Sequence, residues 1–406
     1  MNHLAKNSSL KYALKETDWF LYLTCILTSA FGALMVYSAT RNKALDAGTL
    51  LSRECLIMVI ASAVGIAACL VISFLDYDSI LRLWPIVAGV CLLLILLLFP
   101  FGDGPSDRPN ARCWLPILKL GDTKVNFQPS ELAKIGFIIT FTAHIEAVRD
   151  NINSIKNVLL LSAHALIPIG LIIITDDLGS AIVFALMFIG MMFVAGVKLR
   201  YFAVAIGMGV AFVPLFWTKF LSTFHRQRVL AIYYPEALSA YDYDKIIYQQ
   251  QRCVNAIGSG RMWGDGLFKG TYTQTPGGVP VNESDMVLSV VGEELGFMGC
   301  IALMIILSVI IIRIAVVAKQ SRNLTGALLC YGTVFMIGAQ TIINIGMCLM
   351  LLPSIGITLP FMSAGGSSNM CIYFGIGIAM SVYRANRDRA PVNFRLTNIS
   401  TPFAET

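Results

Sequence analysis

The sequence predicts an all-α integral membrane protein with ten transmembrane helices, both termini on the cytoplasmic side, and a large extracellular loop between helices 7 and 8. Three observations lead there. Only 13% of the 406 residues are charged and 56% are hydrophobic, where a soluble chain carries about 25% charged residues. Ten apolar stretches long enough to cross a bilayer follow one another at roughly 18–39, 54–74, 80–100, 129–148, 157–174, 178–196, 201–219, 285–312, 326–351 and 366–384. Lys and Arg are unevenly shared as well. With the N-terminus inside, fourteen fall in inner segments and seven in short outer loops, the bias of the positive-inside rule.

Residues 1–17 form a polar cytoplasmic tail with three lysines. The apolar stretch after it runs about 20 residues without a small-residue cleavage site, so it reads as the first span rather than a removable signal. Residues 18–384 make up the membrane domain and 385–406 a second cytoplasmic tail. Spans five and six are joined by Thr175-Asp176-Asp177, a sharp turn whose carboxylates suit the cap of the next helix. The loop at 220–284 is rich in aromatic residues and in glycine, notably "AIGSGRMWGDGLFKG" and "TPGGVP". That content predicts a folded loop with re-entrant pieces, a form tolerated only where protein or water covers the backbone.

Several function classes find no support. The ten cysteines stand singly, mostly in apolar runs, and the four histidines are far apart, so a disulfide framework or zinc site is not indicated. No GxSxG, Walker or HExxH pattern occurs, and no internal repeat suggests an inverted-repeat transporter. The net charge of +6 reports topology and gives no case for nucleic acid.

Polar groups inside or beside the spans carry the functional argument, because charges in a bilayer are costly. In "NFQPSELAKIGF", Glu131 and Lys134 lie three residues apart on one helical face. They form either a structural ion pair or a pair lining a hydrophilic cavity that positions a charged lipid substrate. In "VNESDMVLSVVGEELGFMG" there are four carboxylates, Glu283, Asp285, Glu293 and Glu294. Asn282, Ser284 and Asp285 are all competent helix caps. Asp285 also stands at the mouth of a span directly after the long loop, where partial shielding from water raises a carboxylate toward the range of a general base. Arg226 and Arg228 in the loop suit an anionic substrate. Glu293 and Glu294 fall roughly 12–13 Å deeper on a straight helix, as paired or cavity charges, with Lys134 one candidate partner. In "LPFMSAGGSSNM", Ser363, Ser367 and Ser368 offer hydroxyls, although small residues at helix contacts explain the run equally well.

Four blocks in order resemble the SEDS (shape, elongation, division and sporulation) family, the RodA/FtsW group of peptidoglycan glycosyltransferases, over about residues 18–390. "NFQPSELAKI" is similar to the family's FQPSExxK signature, and "YQQQRCVNAIGSG" to its YQ…AIGSG block. "ESDMVLSVVGEELGFMG" resembles TDFIF…GEELGF, and "GITLPFMSAGGSS" resembles PFxSxGGSS.

The resemblance implies polymerisation of lipid II on the outer face of the bacterial cytoplasmic membrane, with Asp285 at the position of the required aspartate. It also implies substrate contacts at Arg228, Glu131, Lys134, Tyr248, Gln249, Ser259, Ser363, Ser367 and Ser368. No cofactor is certain; a divalent cation (Mg2+ or Mn2+) is an alternative to arginine for stabilising the pyrophosphate. The implied partners are a class B penicillin-binding transpeptidase, the nascent glycan, and other elongation or division membrane proteins. The short tail followed by Asp18-Trp19 resembles the elongation branch, while "LMVYSAT" fits the division and sporulation branches too.

The sequence departs from the family pattern at several places. The turn at Asp176-Asp177 lacks the usual proline, Cys113 stands for an arginine, and Arg252 and Cys253 alter the YQxxQS pattern. Arg261 replaces a glycine, Asp265 a lysine, and Met286 the phenylalanine of the TDF block. Two other readings follow from the same residues: a lipid-linked precursor flippase, motivated by the buried charges, and an inactive scaffold for the transpeptidase, motivated by these departures.

Overall fold

A computed structural model describes residues 17–104, 111–120, 123–275 and 277–387. Most of both predicted tails lies outside them. A helix occupies each of the ten apolar stretches. They are α1 (Trp19–Asp46), α2 (Arg53–Phe74), α4 (Trp84–Phe101), α5 (Pro129–Ala147), α6 (Ile155–Ile174), α7 (Leu178–Val194), α8 (Leu199–Leu215), α12 (Val287–Lys319), α13 (Leu324–Cys348) and α14 (Gly366–Arg387). A short α3 (Tyr77–Arg82) precedes α4. Seven of these helices, α8 being counted with the π-helical turn that carries it on to Lys219, are long and apolar enough to cross a membrane, and α7, at 17 residues, is a shorter apolar helix. The protein is therefore a multi-pass membrane protein.

The expectation of an all-α chain needs one correction. Strands β1 (Leu115–Leu120) and β2 (Thr123–Phe127) pair antiparallel between α4 and α5. Segments of six and five residues carry little hydropathy signal beside twenty-residue spans, so the hairpin does not stand out in the hydropathy pattern.

Helices α5 and α13 sit at the centre: most of α5 is buried, and so is 72% of the apolar window of α13. Helix α8 is the opposite case, with no buried residue. Its apolar surface, Val204, Ile206, Val210 and Val213 among it, faces outward, as a lipid-facing helix requires. Close packing of α2 on α14 relies on small residues: a Cβ on Gly377 would press on the backbone of Cys69, 3.0 Å from its carbonyl oxygen. Tyr373 of α14 is fully buried and places its hydroxyl 2.8 Å from Ser29 of α1.

The connection from 220 to 286 is folded, as its composition predicts. It holds α9 (Thr223–Tyr233), α10 (Ala240–Ser259) and α11 (Thr271–Gln274). Its last turn leads into α12, whose 33 residues would run about 50 Å if straight, far beyond the roughly 30 Å hydrocarbon core. The helix is in fact broken at Gly296, where φ is 66° and ψ −165°.

Candidate active site at the head of α12

The four sequence blocks, far apart along the chain, join one another in space. The backbone N–H of Gln128, ahead of α5, donates to Ser367 Oγ at 3.1 Å. Ser363 Oγ donates to the Ser284 carbonyl at 2.6 Å and accepts from the Leu359 N–H at 2.8 Å. Beside it the Ala364 N–H donates to the Glu283 carbonyl at 2.8 Å. The segment that directly follows the AIGSG block, residues 261–266, then grips the α12 break. Asp265 N–H donates to the Glu293 carbonyl and Gly266 N–H to the Glu294 carbonyl, while Phe297 and Met298 N–H donate to Arg261 and Met262. The Glu293 and Glu294 carbonyls and the Phe297 and Met298 N–H groups would otherwise be orphans of the broken helix. The contact is backbone on backbone: a Cβ on Gly264 would strike the Glu294 carbonyl, and one on Gly296 the Gly264 nitrogen.

Asp285 stands at the centre of this assembly, half-buried on the turn before α12. The residue capping α12 is Met286, with no side-chain cap bond, while Asn282 donates to the Thr273 carbonyl and Ser284 to the Val281 carbonyl. The Asp285 peptide is fixed from behind. Asn344 of α13, fully buried, donates from Nδ2 to both the Asp285 carbonyl and the Ile357 carbonyl, each at 2.7 Å. Cys348 Sγ lies 3.6 Å from the same Asp285 oxygen. Two residues upstream, Glu283 pairs with Lys43 of α1 at 3.2 Å. The carboxylate is thus mounted on a backbone held by α13 and by the 354–364 segment, which is what a positioned general base requires.

The other charges have definite partners. Lys134 is fully buried and meets Glu131 at 2.8 Å, so its partner is the neighbour on its own helix and not Glu293 or Glu294. Those two carboxylates are also fully buried, but they do not line an open cavity. Glu293 accepts from the Tyr272 and Thr273 N–H groups at 2.6 and 2.8 Å, closing the start of α11. Glu294 accepts from the Phe268 N–H, from Gln274 Nε2 and from Ser38 of α1. The depth expected from a straight helix does not apply, because the chain of the long connection folds in to meet them at the break.

The remaining predicted contacts divide. Arg228 Nη1 reaches the Ser354 carbonyl at 2.5 Å and stacks 4.1 Å from the Phe224 ring centre, bringing α9 to the 354–358 segment. Arg226 holds the Leu221 carbonyl at 2.9 Å. Tyr248 donates to the Gly277 carbonyl at 3.1 Å, and Gln249 is half-buried on α10. Ser259 returns its hydroxyl to Ala256 of its own helix, and Ser368 accepts from Thr358 Oγ1 at 3.1 Å. Among the departures, Cys113 is buried with its sulfur 3.7 Å from the Thr175 carbonyl, and Met286 is buried against Cys348. Arg261 adopts a φ of 50°, a conformation suited to the glycine it replaces.

Two site residues escape a reading of the sequence. Asn344 is one; its only signal is an amide inside the apolar run of α13. Asp177 is the other in part: besides capping α7 through Ser180 N–H at 3.1 Å, it accepts from Gln128 Nε2 and Ser130 Oγ at 2.9 and 2.8 Å, tying α5 to α7. Among the described residues no three His, Cys, Asp or Glu side chains gather as a metal centre would need.

This bundle, with a folded connection packed around a carboxylate-bearing helix mouth, defines a multi-pass membrane protein with a polar candidate site where its four sequence blocks meet. The profile of the FtsW/RodA/SpoVE family, described as cell cycle protein, matches residues 18–388, and the chain belongs to that family. It is 32% identical over 394 residues to a probable peptidoglycan glycosyltransferase FtsW of Geobacter metallireducens, covering 93% of this chain and 98% of that one. It is 30% identical over 300 residues to the peptidoglycan glycosyltransferase MrdB of Escherichia coli, covering 74% and 77%. A solved structure described as "Structural coordination of polymerization and crosslinking by a peptidoglycan synthase complex" matches with a TM-score of 0.74 and 25% identity, covering 92% of this chain and 99% of the other. The rod shape determining protein RodA of Thermus thermophilus shares the fold at a TM-score of 0.64 and 23% identity, over 91% and 98% of the two chains.

Proposed function

We infer that this chain is a peptidoglycan glycosyltransferase that polymerises lipid II into glycan strands, with the long 220–286 connection and Asp285 on the outer face of the bacterial cytoplasmic membrane. The names of its relatives support the activity. Ten spans with both ends inside agree with the basic-residue bias. The observation that carries the reading is the fixing of the Asp285 peptide by Asn344 at the head of α12.

In this mechanism Asp285 accepts the proton of the acceptor sugar's 4-hydroxyl as that oxygen attacks the anomeric carbon of the lipid-linked donor. The bond to undecaprenyl pyrophosphate breaks with inversion, giving a β-1,4 link. General-base assistance of this kind contributes about 10²–10⁴-fold. Negative charge grows on the departing pyrophosphate, and Arg228 is the cation we assign to it. Glu131 and Lys134 hold the lower wall as a neutral pair, while Ser363, Ser367 and Ser368 act mainly by fixing the backbone around the substrate. Tyr248, Gln249 and Ser259 belong to the acceptor side.

The partner we propose is a class B penicillin-binding transpeptidase, working with further elongation or division membrane proteins. The relatives carry names from both branches. Elongation remains the role proposed, although Asp18 caps α1 and pairs with Arg313 at 2.7 Å, a use any branch could share. Depletion that rounds the cells supports elongation, and filamentation overturns it.

Labelled lipid II, incubated with the purified protein and its transpeptidase, tests the activity through glycan ladders on a gel. Ladders support the polymerase. Their absence, with movement of lipid II across a vesicle membrane, would favour the flippase reading.

A further inference from the structure

Helix α10 is amphipathic. Ile247, Gln250, Cys253 and Ala256 are buried on one side, where Gln250 Nε2 bonds the Met347 and Leu352 carbonyls of the α13 end at 2.8 Å each. The opposite stripe, Asp244, Tyr248, Gln251 and Asn255, is exposed. It does not simply face solvent. Together with Tyr243, Arg252 and the Tyr272 side chain of α11 it borders a cleft of about 310 Å³, at the small end of ligand-site volumes and of the size of a sugar unit.

The chemistry of this cleft is specific. Three tyrosines supply flat apolar rings with polar edges. The amides of Gln251 and Asn255 each offer donors and an acceptor in one plane. Asp244 and Arg252 contribute one charge of each sign, so the cleft has no net charge to favour a pyrophosphate or an acidic lipid headgroup. Two of its parts are already fixed: Tyr248 is tied to the Gly277 carbonyl, and the Arg252 guanidinium lies 5.4 Å from the Tyr248 ring centre. Prior fixing lowers the ordering cost of binding. From Gly277 the chain runs directly on to Asp285.

We propose that this cleft between α10 and α11 is a saccharide subsite that holds an N-acetylated amino-sugar unit of the growing strand away from the reacting carbon. The tyrosine rings stack on the apolar faces of the pyranose, and Gln251, Asn255 and Arg252 take its hydroxyl and acetamido groups. The subsite retains the product between additions and so sets strand length. It rests on the glycosyltransferase reading and assigns the substrate class bound at α10.

The test uses the full-length protein in detergent and a soluble tetrasaccharide of alternating N-acetylglucosamine and N-acetylmuramic acid, with binding read by calorimetry. Wild type should bind. The double variant Gln251→Ala/Asn255→Ala, at exposed positions and with an unchanged melting temperature, should bind about tenfold more weakly or worse, as expected for two lost hydrogen bonds. With lipid II it should give shorter strands than wild type. A wild type that fails to bind the tetrasaccharide, or a double variant with unaltered affinity, overturns the subsite. If wild type binds it yet makes no strand beside its transpeptidase, the subsite stands and the polymerase reading falls. If wild type makes strands without binding it, the polymerase stands and the subsite falls.

Discussion

Replacing Asn344 by leucine removes the two hydrogen bonds that hold the Asp285 and Ile357 carbonyls. The side chain is fully buried, so water does not replace them without a rearrangement. A buried acceptor left without a partner costs about 1–3 kcal/mol, and two give about 2–6 kcal/mol. The Cys348 thiol stays 3.6 Å from the Asp285 oxygen, which trims the total toward the lower half. A native state worth some 5–15 kcal/mol survives such a loss, so the variant should fold with a depressed melting temperature. Activity should suffer more. The freed peptide carries Asp285, and a displacement of about 1 Å at a reacting group can cost 10²-fold. The expected result in the glycan ladder assay is therefore a rate reduced by about two orders of magnitude at a temperature where the variant remains folded. Asn344→Asp, which keeps the shape but turns the donor into an acceptor facing two carbonyls, should be at least as impaired. A folded Asn344→Leu protein with the wild-type rate would refute the claim that Asn344 positions Asp285.

Three further outcomes are expected. Gly264→Ala should lower the melting temperature, because a methyl group there collides with the Glu294 carbonyl at a φ of 79°; the left-handed backbone alone costs about 1–2 kcal/mol. Arg261→Gly should raise stability by up to about 1 kcal/mol, since Arg261 holds a φ of 50° that glycine adopts freely. Lys134→Met should cost about 3–5 kcal/mol by leaving Glu131 charged and unpaired in the interior, and Lys134→Met/Glu131→Gln should recover much of it, as thermal unfolding of the detergent-solubilised variants would report.

The parts of this architecture legible in the sequence are those written in composition and local spacing. Runs of about twenty apolar residues mark the helices, and the glycines and aromatics of 220–284 announce a folded connection. Glu131 and Lys134 announce themselves as neighbours by their three-residue offset, and they do pair. What stays hidden depends on contacts distant along the chain. Asn344 bonds carbonyls 59 and 13 residues away, and an amide in an apolar run gives no hint of which. Gly296 looks like any glycine in a helical stretch until the 261–266 backbone is seen to complete its broken hydrogen bonds. That break also explains Glu293 and Glu294: a depth counted along an unbroken helix leaves them in search of charged partners, whereas the folded-in connection meets them with backbone N–H groups. The β1–β2 hairpin is hidden for a simpler reason, its brevity.

The central claim is that Asp285 is the general base, and one measurement bears on it most directly. Asp285→Asn keeps the size and the backbone carbonyl that Asn344 holds, and removes only the capacity to take a proton. Purified with its transpeptidase partner, folded, and supplied with labelled lipid II, this variant should form strands at least about 10²-fold more slowly than wild type. Ladders appearing at the wild-type rate would contradict the account.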